Sequence, residues 1–295
     1  MSTQRRIKDY ERFKEDEQKE WKGPFYFVQA ADPQFGLIER YLEKKVNYTW
    51  EKEKVLSRLC VEKLNALNPK PKFFVICGDL CDATPVDEWE IRQKQEKDFW
   101  DIFSKINPDI ALVCVCGNHD VGDTPSNLAV QRYRSSFGKD FFSFWVGGVF
   151  FIVINSQYFY DGSQVPEIAR EQEVWLDEQL KIGAKSRCGP VLFQHIPWFL
   201  DDPEDQKSDY FTIPYEKRKP MLEKLNNAGV RYVLNGHLHR NNFGQFKNVQ
   251  SIVSSAIGGQ IGQDKSGFRI VKVLNDSLSH KYYPFEEVPT NVDLL

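Results

Sequence analysis

The chain has 295 residues, a hydrophobic content of 41% and a formal net charge of −3, which together suit one large α/β domain with a sizeable core. The slight acidity argues against nucleic acid or an acidic membrane as a partner. No apolar run approaches the roughly 18 residues that span a bilayer, and the N-terminal residues lack the apolar segment of a secretory signal, so we expect a cytoplasmic protein without a membrane partner.

The first 22 residues are predicted to form an arm of mixed charge, followed by one domain over residues 23–295. Apolar residues such as Tyr10 and Trp21 fall loosely on one face of this arm. The arm is therefore either a short helix that lies on the body or a partly disordered extension. The six cysteines contain no C-x-x-C pair, so we expect reduced thiols rather than a structural zinc site.

Strands alternate with helices in the first half of the chain. Apolar runs predict strands over residues 25–28, 73–76 and 110–115, and helical spacing predicts helices over 49–67 and 89–106. This order predicts a parallel sheet with crossover helices. In such a sheet, ligands bind beyond the carboxyl ends of the strands.

The second half continues the alternation and closes with two strands that we expect to be antiparallel. The predicted elements are a hairpin of strands over 142–145 and 149–154, a helix over 167–182, a strand over 191–194, a helix over 214–228, a strand over 231–234, and closing strands over 249–254 and 268–273. No linker is long enough to justify a second domain.

Four polar clusters and one separate histidine follow these strands. They are Asp32-Pro33-Gln34, Gly78-Asp79-Leu80-Cys81-Asp82, Gly117-Asn118-His119-Asp120, His195 and Gly236-His237-Leu238-His239. Four of the five histidines thus lie at strand ends. Carboxylate, amide and imidazole groups are ligands for divalent metals, and their joint occurrence predicts metal-assisted hydrolysis of a phosphate ester.

A site for two metal ions needs one carboxylate that contacts both ions and further ligands for each. Asp79 is the bridging candidate, because its tight Gly-Asp turn lets the backbone approach the ions closely. The other candidates divide between the ions: Asp32, Gln34 and His239 for the first, and Asn118, His195 and His237 for the second. If the backbone of the His-x-His segment is extended, its two rings lie on one side, and one imidazole would serve each metal.

His119 directly follows Asn118 and is predicted to point elsewhere, as the general acid that protonates the leaving oxygen. A carboxylate beside it would raise its pKa and orient its ring, and Asp82 and Asp120 are the two candidates. The predicted nucleophile is a metal-bound hydroxide.

The ordered clusters resemble those of the calcineurin-like metallophosphoesterase superfamily, whose pattern is Asp-x-His, Gly-Asp-x-x-Asp, Gly-Asn-His-Asp/Glu, His and Gly-His-x-His. The resemblance covers residues 25–240. It implies a four-layer α/β fold, in which two central mixed β-sheets are flanked by helices. It also implies hydrolysis of phosphoserine or phosphothreonine in a phosphorylated protein substrate.

Two positions depart from the family pattern. Gln34 stands where many relatives have histidine, and its carbonyl oxygen is a harder ligand, which favours manganese or magnesium over iron or zinc. Ala83 stands where the major serine/threonine phosphatases have an arginine that holds the substrate phosphate. The phosphate would then need another partner, and Asn118, His119 and Arg240 are candidates.

Two further segments have alternative interpretations. Residues 196–211 mix aromatic and acidic side chains and are either an acidic lid beside the site or a solvated loop with aromatic anchors, and we favour the solvated loop. The glycine-rich residues 258–262 are predicted to form a turn rather than a phosphate-binding loop, because no helical pattern follows them.

The leading hypothesis is a metal-dependent serine/threonine protein phosphatase. A nucleotide diphosphatase or phosphodiesterase on the same metals is the alternative, because Gln34 also resembles the residue at this position in the manganese-dependent diphosphatases of the superfamily. A non-catalytic module that binds phosphorylated proteins is a third hypothesis, and the intact His119 argues against it. The sequence leaves the oligomeric state open.

Overall fold

Two β-sheets form the centre of the molecule. The computed structural model describes residues 5–207 and 209–294. The strands are β1 (Phe25–Ala30), β2 (Phe73–Cys77), β3 (Ala111–Val115), β4 (Phe142–Val146), β5 (Val149–Val153), β6 (Val191–Phe193), β7 (Tyr232–Asn235), β8 (Asn242–Phe246), β9 (Val249–Val253), β10 (Gly267–Val273) and β11 (Leu278–Pro284).

Both sheets are mixed. The first has the order β11-β10-β1-β2-β3, and the second has the order β4-β5-β6-β7-β9-β8. Strands β1, β2 and β3 run parallel to one another, as do β5, β6, β7 and β9. Crossover connections therefore bring the carboxyl ends of these strands to one edge of each sheet.

Helices cover the outer face of each sheet. They are α1 (Glu15–Gln18), α2 (Glu51–Ala66), α3 (Trp89–Phe103), α4 (Asn118–Val121), α5 (Asn127–Phe137), α6 (Gln157–Asp161), α7 (Pro166–Gly183) and α8 (Tyr215–Asn227). Shorter helical turns are Asp9–Arg12 and Phe285–Glu287, and Ile38–Leu42 forms one π-helical turn. None of the helices in the described part of the chain is both long and apolar enough to cross a membrane.

Successive side chains of a strand point to opposite faces of its sheet, and this alternation divides the core into layers. In β1, Phe27 belongs to the apolar layer between the two sheets, whereas Tyr26 and Val28 face the helices on the outer side. Phe27 stacks on Phe73 of β2 and meets Phe193 of β6 edge to face across the layer. This alternation of buried faces produces four layers, helix–sheet–sheet–helix, and the predicted fold class is confirmed.

The arm lies on the body over the residues described. Tyr10 is buried and stacks on Phe142 with 3.9 Å between ring centroids. Arg6 donates to the backbone carbonyl of Ile106 at 2.8 Å. Residues 1–4 fall outside the described part, and the division of the chain at residue 23 stays a prediction.

One strand direction was predicted wrongly. Strand β10 is antiparallel to β1, as expected, but β9 runs parallel to β7 and antiparallel only to β8. The error arose because β8 was not predicted. Its residues Asn242–Phe246 include polar side chains and Gly244 and lack an apolar run. Strand β11 and helix α5 were not predicted either.

Candidate metal centre

The candidate ligands converge where the carboxyl ends of the parallel strands from both sheets meet. Four of them lie two residues beyond a strand: Asp32 after β1, Asp79 after β2, His195 after β6 and His237 after β7. Asn118 begins α4 directly after β3. The two sheets thus contribute to one site, as expected for ligands at strand ends in α/β proteins.

Backbone strain is concentrated at this site. Seven non-glycine residues in the described part of the chain have a positive φ, and five of them are candidate ligands: Asp32, Gln34, Asp79, His237 and His239. Such conformations cost free energy and persist where the surrounding structure holds them, often at functional sites. The His-x-His segment is not extended, because φ is 72° at His237 and 53° at His239, so strand alternation does not place its two rings.

One group of ligand atoms surrounds Nε2 of His195. This nitrogen lies 3.2 Å from Oδ2 of Asp79, 3.0 Å from Oδ1 of Asn118 and 3.1 Å from Nδ1 of His237. All four side chains are buried. Asn118, His195 and His237 are the residues that the sequence analysis assigned to the second ion, and Asp79 is the carboxylate that it assigned to both ions.

The other group combines Asp32, Asp79 and His239, whose ligand atoms lie within 4.8 Å of one another. Asp79 thus belongs to both groups, which is the arrangement that a bridging carboxylate requires. Gln34 lies beside Asp82, to which its amide nitrogen donates at 3.1 Å. Its carbonyl oxygen is buried without a hydrogen-bond partner in the described structure.

Each of the three histidines uses one ring nitrogen for a backbone carbonyl and leaves the other for the centre. Nδ1 of His195 is 2.8 Å from the carbonyl oxygen of Cys77, and Nε2 of His237 is 2.8 Å from that of Tyr210. Nδ1 of His239 is 2.6 Å from that of Gly259. Donation to these carbonyls places a lone pair on the inward-facing nitrogen, which is how metal-ligating histidines are usually oriented.

The charges of the centre fit divalent cations. Burial raises the pKa of Asp32 well above its usual value, although His195 partly offsets this. Burial lowers the pKa of His237 to about 3 and that of His239 to about 4, so both rings are neutral. For His195, by contrast, burial lowers the pKa, but Asp79 and Asp32 outweigh it and raise the pKa to about 9, so this ring would lose its proton on binding a cation. The carboxylates, the three imidazoles and the unpartnered oxygen of Gln34 form a donor set that bound cations would complete.

His119 lies at the open side of the centre. Its side chain is 18% exposed, whereas that of Asp82 beside it is fully buried. Nδ1 of His119 is 2.7 Å from the backbone oxygen of Asp82 and 3.5 Å from its carboxylate. Burial lowers the pKa of His119, but Asp79 and Asp82 more than offset this and raise it. The free Nε2 is therefore suited to carry and donate a proton.

The carboxylate of Asp120 does not lie beside the ring of His119, where one of the two candidate carboxylates was expected. Its oxygens accept hydrogen bonds from the backbone N–H groups of Gly117 and Leu80, and it pairs with the buried Arg92 at 2.8 Å. Arg92 also donates to the backbone oxygen of His119 at 3.0 Å. Asp120 therefore holds the turn that carries His119, and Asp82 is the carboxylate beside the ring.

Several residues of the site were missed in the sequence. Arg92 had a detectable signal, because it falls on the buried face of α3 with Glu96, one helical turn away. Arg40 contacts Asp82 at 3.2 Å, and the exposed Tyr41 lies 6.5 Å from His119 between ring centroids. Both belong to a π-helical turn, a structure often found at functional sites and without a clear sequence pattern.

Tyr210 lies in the segment whose two interpretations the sequence left open. Its ring centroid is 4.8 Å from that of His237, and Phe211 also lies against this histidine, at 5.6 Å. The aromatic residues of the segment thus cover part of the centre. Of the proposed phosphate partners, Arg240 is exposed next to His239. The glycine-rich turn holds His239 through Gly259.

The centre requires a glycine at position 117. A Cβ atom there would lie 2.2 Å from the backbone nitrogen and from Oδ1 of Asp79. We expect Gly117→Ala to displace Asp79, to lower the free energy of unfolding by about 1–3 kcal/mol and to reduce the amount of bound divalent metal. Denaturant unfolding and elemental analysis of metal-loaded protein would measure both effects.

Gly229→Ala is a suitable control for that variant. Its φ is +81°, but a Cβ atom at this position would meet nothing within 4 Å. We expect a cost of roughly 1–2 kcal/mol from backbone strain and unchanged metal content. Full metal content in Gly117→Ala would show that the close approach to Asp79 is not required.

The chain matches the family model described as calcineurin-like phosphoesterase over residues 27–241. It is 45% identical to the mouse (Mus musculus) serine/threonine-protein phosphatase CPPED1 over 280 residues, which cover 94% of this chain and 89% of the relative. The zebrafish (Danio rerio) protein of the same name is 42% identical over 96% of this chain and 93% of its own length. Both alignments include the whole range of the metal centre.

The fold has relatives among solved structures. A dimetal phosphatase from Danio rerio superimposes with a TM-score of 0.63 at 16% identity, covering 90% of this chain and 98% of that one. At this identity the likeness shows a shared fold.

Proposed function

Because the chain belongs to the calcineurin-like phosphoesterase family and is a metal-dependent phosphoesterase, we propose that it acts on phosphoserine and phosphothreonine in proteins. The observation that carries this proposal is the similarity to relatives named serine/threonine-protein phosphatases along 94% of the chain. The residues that the chemistry needs, from Asp32 to His239, all lie within the matched range.

Asp79 would contact both cations, with Asp32, Gln34 and His239 on one side and Asn118, His195 and His237 on the other. When bound, the two cations supply positive charge that activates the attacking water and neutralises the phosphoryl oxygens. The protein holds the ligands in place before the metals arrive, since the backbone carbonyls of Cys77, Tyr210 and Gly259 fix the three imidazole rings.

His119 would donate the proton that the leaving oxygen takes up. Its Nδ1 is held by the backbone oxygen of Asp82, so Nε2 is the donating atom. The carboxylate of Asp82 favours the protonated ring, and Arg40 pairs with the other oxygen of that carboxylate at 3.2 Å. Tyr41 lies on the leaving-group side, because it is next to His119.

We also propose that the metals are manganese or magnesium and that the protein is located in the cytoplasm. Gln34 contributes an amide oxygen in place of an imidazole, which favours manganese or magnesium. The six cysteines are all free and buried, in keeping with a reducing compartment such as the cytoplasm. A fluorescent fusion found in the secretory pathway would contradict the cytoplasmic location.

Turnover by metal-stripped protein tests the proposed function. Manganese, magnesium, zinc or iron would be added back, and four substrates compared: a phosphothreonine peptide, p-nitrophenyl phosphate, bis-p-nitrophenyl phosphate and ADP-ribose. We expect phosphate release from the two monoesters, fastest with manganese or magnesium. Preference for the diester or for ADP-ribose would instead support the alternative function, which Gln34 favours. Metal binding without turnover would support a phosphoprotein-binding module.

A further inference from the structure

Tyr210 contacts two candidate ligands of the same ion. Its hydroxyl oxygen accepts a hydrogen bond from the amide nitrogen of Asn118 at 2.7 Å. Its backbone oxygen accepts another from Nε2 of His237 at 2.8 Å. The residue lies in an irregular segment between β6 and α8, and 43% of it is exposed. Tyr210 therefore contacts the centre from a partly exposed segment of the chain.

The hydroxyl has a proton to donate. Its oxygen is already an acceptor for Asn118, so the O–H bond must point elsewhere. The amide nitrogen of Asn118 also donates to Asp123 at 2.8 Å, which fixes the orientation of the amide. A phenol has an ordinary pKa of about 10 and carries its proton at neutral pH.

Two cationic side chains near the centre are already engaged. Arg92 is buried and paired with Asp120 and Glu96. Arg40 is paired with Asp82 and Glu88. Ala83 supplies no guanidinium, and the exposed Arg240 follows His239, a candidate ligand of the other ion. A neutral donor beside Asn118 would therefore add to the contacts that the metals, His119 and Arg240 make with a phosphoryl group.

We propose that the hydroxyl of Tyr210 donates a hydrogen bond to a phosphoryl oxygen of the bound substrate, beside Asn118. This inference rests on the proposed function, because it assigns a substrate contact to the same site. It makes Tyr210 a substrate-binding residue in addition to its contact with His237. A phosphate oxygen is an anionic acceptor, for which one hydrogen bond contributes more than a bond between neutral groups does.

Tyr210→Phe separates this contact from the rest of the residue. The variant keeps the backbone oxygen that holds His237 and the aromatic ring, and it removes only the hydroxyl. Manganese-loaded protein would be titrated with inorganic phosphate by calorimetry, its metal content measured, and kcat and KM determined with a phosphothreonine peptide. We expect about 10-fold weaker phosphate binding and a similar loss in kcat/KM, with unchanged manganese content.

Tyr160→Phe is the matched control. Burial and the same Asp123 raise the pKa of Tyr160. Tyr160 has no hydrogen bond to a candidate ligand in the described structure, so the phosphate affinity of Tyr160→Phe should equal that of the wild-type protein. Unchanged phosphate affinity in Tyr210→Phe would overturn the proposal. So would loss of manganese with unchanged phosphate affinity of the loaded fraction, because the hydroxyl would then only position Asn118. If the wild-type protein hydrolysed no substrate, the proposed function would fail, while the calorimetry would still test the contact of Tyr210.

Discussion

Replacing His119 by alanine is expected to lower kcat for a phosphothreonine peptide by about 10²–10⁴-fold, the usual contribution of a general acid. The alkoxide that leaves from phosphothreonine is strongly basic and needs a proton as the bond to phosphorus breaks. Nitrophenolate is a much weaker base, so the loss with p-nitrophenyl phosphate should be much smaller. Steady-state kinetics on both substrates with manganese-loaded protein would measure this difference.

His280→Ala is the matched control for that variant. His280 is the remaining histidine of the chain, and its Nδ1 lies 3.0 Å from Arg269 on the neighbouring strand β10. Its removal should leave both rates unchanged. Equal losses on the two substrates in His119→Ala would contradict the role of general acid, because a group that only binds the phosphate affects both substrates alike.

The positions of the main candidate ligands could be predicted from local pattern alone. Asp32, Asp79 and His195 each follow a short apolar run, and parallel strands bring the ends of such runs to one edge of a sheet. The division of the ligands between two groups also agrees with the distances around His195. The need for a shared carboxylate points to Asp79, which belongs to both groups of ligand atoms, and the roles of these residues as metal ligands stay predictions.

The remaining parts of the site depend on contacts that no local pattern encodes. Tyr210 reaches Asn118 across 92 positions of the chain, and its segment has no helical or strand period. The conformation of His237 has no local signal, because side-chain alternation applies to extended backbone, whereas the positive φ is imposed by the surroundings. Asp120 could not be distinguished from Asp82 until Arg92 was placed beside it.

Asp79→Asn is expected to reduce bound manganese from two ions per chain to one or fewer, and to lower phosphatase activity on the order of 10³-fold. Asparagine keeps the size of the side chain and the acceptor that Oδ1 offers to the backbone N–H of His119 at 2.9 Å. It removes the negative charge and the second oxygen, which lies 3.2 Å from His195. Elemental analysis and steady-state kinetics would measure the two losses.

Thermal unfolding gives a readout of this variant that is independent of catalysis. A ligand at 100 times its dissociation constant stabilises the folded state by about 2.7 kcal/mol, so manganese should raise the Tm of the wild-type protein and raise that of Asp79→Asn much less. Asp140→Asn is the control, because Asp140 is a buried carboxylate that belongs to neither ligand group. It forms an ion pair with Arg134 and accepts a hydrogen bond from the hydroxyl of Tyr158. It should lower the Tm of the metal-free protein and keep the manganese-dependent rise. Two bound ions and a full rise in Tm with Asp79→Asn would show that Asp79 does not bridge the metals.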